Sequence, residues 1–117
     1  MTLDQFFKKL TANAVSFDDT MTIIEQHYHY SPVEFRNGSG PQLLINAAGS
    51  NEGSCKIFAF AQIHQLSEPQ TLALFGNFYW HDVLKEPEGN NHQNIRNFMT
   101  FGWQGIQFTD TALVPKS

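Results

Sequence analysis

The sequence predicts an α+β fold: one mainly helical domain over residues 1–117, with about five helices and two or three short strands. Three observations predict it. Apolar residues recur at helical spacing in several stretches that begin beside capping residues. Short alternating or apolar runs, bounded by turn residues, lie between and after them. A chain of 117 residues that is 41% apolar and carries 11 Phe holds the material for one core. At this length about two-thirds of the unfolded surface is buried on folding.

Thr2 and Gln5 have the form of a capping box, and Leu3, Phe6, Phe7 and Leu10 then mark a first helix. A second helix follows Ser16. Phe17, Met21, Ile24 and Tyr28 are its stripe, Asp18 and Asp19 suit its positive end, and Pro32 stops it. Val33 and Phe35 alternate with Glu34 and Arg36 before Asn37-Gly38, a short strand entering a turn. Leu43-Leu44-Ile45 is an apolar run too short to type, and Gly49 to Gly53 is a polar loop.

Ser54 is expected to cap a third helix running to about Leu66. Its apolar residues go all round, which marks a central helix. Ser67 and Gln70 open a fourth, with Leu72, Phe75, Tyr79 and Val83 on its core face and Gly76 where another backbone can approach. Pro87 and Gly89 end that segment. A fifth helix is expected from about Asn90 to Phe101, with Ile95, Phe98 and Met99 inward and Gly102 as the stop. Ile106 and Phe108 flank Gln107 in a last strand, which the pattern allows to pair with the one near Phe35. The tail after Asp110 reads as loose.

Charge and cysteine content exclude several function classes. The net charge is −4 and no basic cluster exceeds Lys8-Lys9, which disfavours nucleic acid and anionic membrane surfaces as partners. No apolar run reaches membrane-spanning length, and the first ten residues lack the apolar stretch of a signal peptide. Cys55 is the one cysteine, so a reducing, cytoplasmic setting fits. The five His show no paired-ligand spacing, so neither a metal nor another cofactor is implied.

Three groups of residues carry candidate chemistry. Cys55, read as lying in the first turn of the third helix beside Lys56, has the setting of a thiolate, with His92 as its base, but in a helix apolar all round it is expected to be a buried, inert packing residue. The loop leading to Gly53, Ser54 and Lys56 feeds a helix start, a geometry that can hold an anion, although Glu52 would repel one and the P-loop order is missing. On the fifth helix His92 and Arg96 share one flank and Asn94 the other, and Asp82 lies on a flank of the fourth. A half-buried acid wants a partner, so Asp82 is expected to meet Arg96 or His92, as a small polar binding site or as an ion pair tying two helices. Trp80, Trp103 and the three tyrosines have two readings, an aromatic ligand pocket or simply core.

Two strings point to a family. The first is Gly53-Ser54-Cys55-Lys56-Ile57-Phe58-Ala59-Phe60-Ala61. The second runs from Asp82-Val83-Leu84 through Pro87-Glu88-Gly89 and His92-Gln93-Asn94-Ile95-Arg96-Asn97-Phe98-Met99 to Gly102-Trp103 and Gly105-Ile106. In these the chain resembles the HopJ type III effector family over nearly its whole length, departing at Ser39 to Ala48, which is longer and more apolar than the family's usual polar loop there. The resemblance implies a bacterial protein. The family takes its name from plant-pathogen members proposed to enter host cells through a type III injectisome, and it implies no agreed biochemical activity. The capped helix expected at Thr2 is unlike the Ser-rich, disordered start usual for type III cargo, so a cytoplasmic role stands beside secretion. Two functions stay open: a binding or interaction module for an unknown protein or small molecule, and a small transferase or hydrolase-type enzyme using Cys55 or the Asp82/His92/Arg96 group.

Overall fold

Three of the helices begin where two side chains exchange hydrogen bonds with the backbone. In the computed structural model, which describes residues 1–116, Thr2 Oγ1 accepts from the Gln5 N–H at 3.1 Å and Gln5 Oε1 from the Thr2 N–H at 2.9 Å. This box opens α1 (Leu3–Thr11). Ser16 and Asp19 repeat the exchange at α2 (Phe17–His27), as do Ser67 and Gln70 at α4 (Glu68–Ala73). Each box pairs two backbone donors that would otherwise be left orphaned at a helix start.

Three helices depart from their predicted ends. The second stops at His27, because Tyr28–Tyr30 is strand β1 and not a last helical turn. Tyr28 is still buried, its hydroxyl 2.5 Å from His64 Nε2. The third, α3, spans Glu52–Ile63 and starts before Ser54. Its cap is Asn51, left-handed at φ 52°, with no side-chain capping bond. The fourth is interrupted. Gly76 takes φ +60°, and a π-helical turn, Phe78–Val83, follows. A Cβ on Gly76 would lie 2.7 Å from the Phe17 backbone nitrogen, so the close approach expected there is made, by the start of α2.

The fifth helix, α5, spans Gln93–Phe101. Ile95 and Phe98 are buried as expected, but Met99 is 44% exposed while Asn94 and Asn97 are buried. The buried face is therefore rotated towards two amides, Asn94, expected on a flank of the helix, and Asn97.

The strands form two small antiparallel sheets. Phe35–Asn37 (β2) lies between Leu44–Asn46 (β3) and Ile106–Phe108 (β4). Phe35 and Phe108 are register partners with rings stacked at 5.4 Å, so the expected pairing is made. The second sheet corrects the loose tail: Leu113–Pro115 is a strand, β5, paired with β1, and Ala112 and Leu113 are buried. Pairing requires Tyr28 to meet Pro115, and nothing local in either segment announces a partner so far along the chain. The architecture is α+β, with β1 and β5 added to the strands that the sequence indicated.

Helix α3 runs through the middle, with Ile57, Phe58, Ala59, Phe60 and Ala61 all buried. Phe58 sits against Phe98 at 5.0 Å, Phe75 at 5.6 Å and Phe35 at 6.0 Å between ring centroids. Trp103 packs on Phe98 at 5.0 Å, and its indole N–H donates to the Leu66 carbonyl at 3.1 Å. This centre holds the starts of α3 and α5 on one side, beside the end of β3.

Candidate functional site

A chain of asparagine amides lies behind the starts of α3 and α5. Asn94 Oδ1 accepts from Asn37 Nδ2 at 3.0 Å and from Asn46 Nδ2 at 3.1 Å, and Asn94 Nδ2 donates to Asn46 Oδ1 at 2.9 Å. Asn51 Nδ2 donates to the same Asn46 oxygen at 2.8 Å. Asn37 also donates to the Asn94 carbonyl, and Asn97 donates to the carbonyls of Asn37 and Gln42. Asn37 is fully buried and its Oδ1 has no partner. Burying these amides is tolerable because nearly every one of their groups is paired.

A cleft of about 460 Å³ opens above this chain. Asn51, Gly53 and Ser54 line it from the start of α3, and His92, Gln93, Asn94 and Ile95 from the start of α5. Leu44, Ile45 and Asn46 of β3 form one side, and Phe17, Phe75 and Phe78 form an aromatic wall. Phe17 reaches the cleft because residue 53 is glycine: a Cβ there would lie 2.8 Å from its ring. The Phe17 and Phe78 rings meet edge-to-face at 4.9 Å, and Phe78 lies 5.1 Å from the His92 ring. Asn51 and His92, the caps of α3 and α5, are both left-handed at φ 52°. Asparagine and histidine are both among the non-glycine residues found most often in that conformation.

The structure thus brings together two groups that are far apart in sequence, Gly53 and Ser54 with His92 and Asn94. It leaves out the others. Cys55 is 1% exposed, with Sγ 4.0 Å from the Val33 carbonyl. Its N–H is already bonded to the Asn51 carbonyl at 3.0 Å, so it does not sit among free first-turn donors. Burial pushes its thiol above the usual range, the reverse of what a nucleophile needs. Native protein should therefore react with an aromatic disulfide reagent at least about a hundredfold more slowly than urea-unfolded protein. Rapid labelling with the fold intact would contradict the burial. Lys56 lies over the Tyr30 ring at 4.7 Å and does not line the cleft.

Asp82 meets His92, not Arg96. His92 Nε2 is 3.1 Å from Asp82 Oδ2. Arg96 instead bonds the carbonyls of Asn91 at 2.6 Å, Glu86 at 2.9 Å and Pro87 at 3.3 Å, tying down the loop before α5. The Asp82 and His92 side chains are 39% and 29% exposed, so their pairing is worth roughly 0–1 kcal/mol. A double-mutant cycle of Asp82→Asn with His92→Gln should show coupling in that range, and one of Asp82→Asn with Arg96→Gln should show none beyond error. Coupling above about 1 kcal/mol in the Arg96 cycle would refute the assignment. Among the described residues no group of three or more His, Cys, Asp or Glu gathers to hold a metal ion.

Sequence reasoning missed Asn46 and Asn51 and the Phe17, Phe75 and Phe78 wall as parts of one site. The usable signal was the density of asparagines near Phe35 and Ile95, each of which reads singly as a turn residue.

The HopJ type III effector protein family model matches residues 3–113. A solved structure described as the crystal structure of unknown function protein VPA0580 is 48% identical, with a TM-score of 0.93, over 99% of this chain and 95% of that one. No curated protein matches. Among the described residues no helix is long and apolar enough to cross a membrane. With a match over nearly the whole length, the chain belongs to the HopJ type III effector protein family.

Proposed function

We propose that the protein is a binding module that holds a small molecule in the cleft between the starts of α3 and α5. One observation carries this reading: a partly enclosed cleft of about 460 Å³ combines an aromatic wall with convergent amides held in place from behind. Sites for small molecules have this size and this mixture of apolar lining with a few fixed polar groups. The buried Cys55 favours binding over thiol chemistry. A cytoplasmic location is part of the same proposal and agrees with a single cysteine that has no disulfide partner in the chain.

The test is a thermal-shift screen against metabolites. A ligand present at one hundred times its Kd stabilises the fold by about 2.7 kcal/mol, which is several degrees in Tm for a chain of this size. The shift should shrink in His92→Asn, a change that keeps a residue tolerant of the left-handed backbone. Hits that all survive this substitution would place binding elsewhere.

A second reading rests on the Asp82–His92 contact. A carboxylate on one ring nitrogen fixes the tautomer and leaves the other nitrogen free for proton transfer at the cleft. Ser54 lines the same cleft without a hydrogen bond to His92, so a nucleophile–base contact is not made. Turnover of an ester or phosphoester that is lost in His92→Gln would bring the acid–base reading forward.

A further inference from the structure

We propose that the occupant of this cleft is a neutral, flat heterocycle with one amide-like edge, of the nucleobase kind. This rests on the binding reading above and narrows it to a chemical class.

Charge comes first. None of the residues lining the cleft is Asp, Glu, Lys or Arg. Two helix starts do face it, each bringing about half a positive charge. Both are offset by a whole negative one: Glu52 occupies the first position of α3, and Asp82 sits on His92, the cap of α5. An anion entering the cleft would lose its water against Phe17, Phe75 and Ile95 and meet no Lys or Arg in return. A cation would find no carboxylate on the lining.

Hydrogen-bonding capacity comes second. A side-chain amide has four places to bond: two N–H groups and two lone pairs on oxygen. Asn46 fills all of them, with its oxygen accepting from Asn51 and Asn94 and its Nδ2 donating to Asn94 Oδ1 and the Phe35 carbonyl. Asn94 retains one N–H. Asn51 is exposed and bonds only through one N–H, so its oxygen and second N–H stay available at the cleft. With the Ser54 hydroxyl and the second His92 ring nitrogen also on the lining, Asn51 offers a donor and an acceptor side by side. That combination suits a ring carrying a neighbouring acceptor and donor, the edge by which Asn or Gln reads adenine. A sugar, with hydroxyls all round, would bury several of them unpaired against the aromatic wall. The apolar faces of a flat ring lose nothing against Phe78 and Phe17 and gain stacking there.

The experiment is calorimetric titration of the full chain, supported by thermal shift. Neutral probes are adenosine, guanosine, uridine and nicotinamide; the contrasts are inorganic phosphate, citrate, glucose and adenosine 5′-monophosphate. At least one neutral heterocycle should bind, and Asn51→Gly should weaken it at least tenfold while keeping a residue suited to the left-handed backbone. Phe78→Leu, at a position 38% exposed, should do the same by removing the stacking face, and it carries the test if Asn51→Gly does not fold. The monophosphate should bind no tighter than adenosine. Cleft-dependent binding of phosphate, citrate or glucose alone, or a monophosphate tenfold tighter than its nucleoside, would overturn the heterocycle class and leave the binding reading standing. No response to any probe, with hits from a wider screen unaffected by Asn51→Gly and Phe78→Leu, would overturn both.

Discussion

Phe58→Ala should cost the fold about 3–5 kcal/mol, the range for truncating a fully buried aromatic ring. Its ring is fully buried at the middle of α3 and touches Phe35 from β2, Phe75 from the segment after α4 and Phe98 from α5. These neighbours belong to different elements and cannot all move in to fill the space, so most of the cavity should persist. Against a typical total of 5–15 kcal/mol, such a loss leaves a marginal protein. Urea melts give the check: the midpoint should fall with the slope unchanged. A loss under about 1 kcal/mol would mean that α3 is not the centre of the core. Phe75→Ala, at a ring 2% exposed, should fall in the same range.

Asn94→Ala should be the most damaging polar substitution. It removes the oxygen that accepts from Asn37 and Asn46, and the N–H that donates to Asn46 Oδ1. Each buried group left unpaired costs about 1–3 kcal/mol. Asn37 keeps the Asn94 backbone carbonyl and Asn46 Oδ1 keeps Asn51, so the effect is partial at each. A total loss of at least about 2 kcal/mol is expected, about half or more of the Phe58 effect. The distinguishing control is Asn51→Gly. It breaks one exposed arm of the same chain, and should cost under about 1 kcal/mol. Similar losses for the two variants would show that the network is not organised around Asn94.

The sequence made local chemistry legible. Thr2 with Gln5 and Ser67 with Gln70 specify helix starts within four residues, and both boxes form as read. Gly76 was readable because a missing Cβ on a core face leaves room for one thing, and the Ser16–Phe17 backbone fills it. Ser54 misled because capping preference is a weak signal beside the tertiary position of Asn51, whose amide is held by Asn46. Periodicity carried Tyr28 into a helix, since an apolar residue four after Ile24 looks alike whether the last turn forms or not. Pairing with Leu113–Pro115 decided otherwise.

The candidate site divides the same way. His92, Asn94, Gly53 and Ser54 stood out in the sequence as two unrelated groups, and only the fold put them on one cleft. Their meeting depends on α3 and α5 packing through Phe58 and Phe98, a contact between segments that no local pattern relates. Asp82 was legible as an acid needing a partner, but the choice of His92 over Arg96 was made by the loop from Glu86 to Asn91, whose carbonyls occupy the guanidinium. By itself the sequence determined the family, the α+β class and the helix starts that capping boxes fix, because those rest on residue order and short-range bonding. The tertiary structure decided the β1–β5 pairing and the amide chain behind the cleft. Burial and pairing depend on which distant groups arrive at the same place, and an asparagine in a sequence carries no mark of whether water or another amide will meet it.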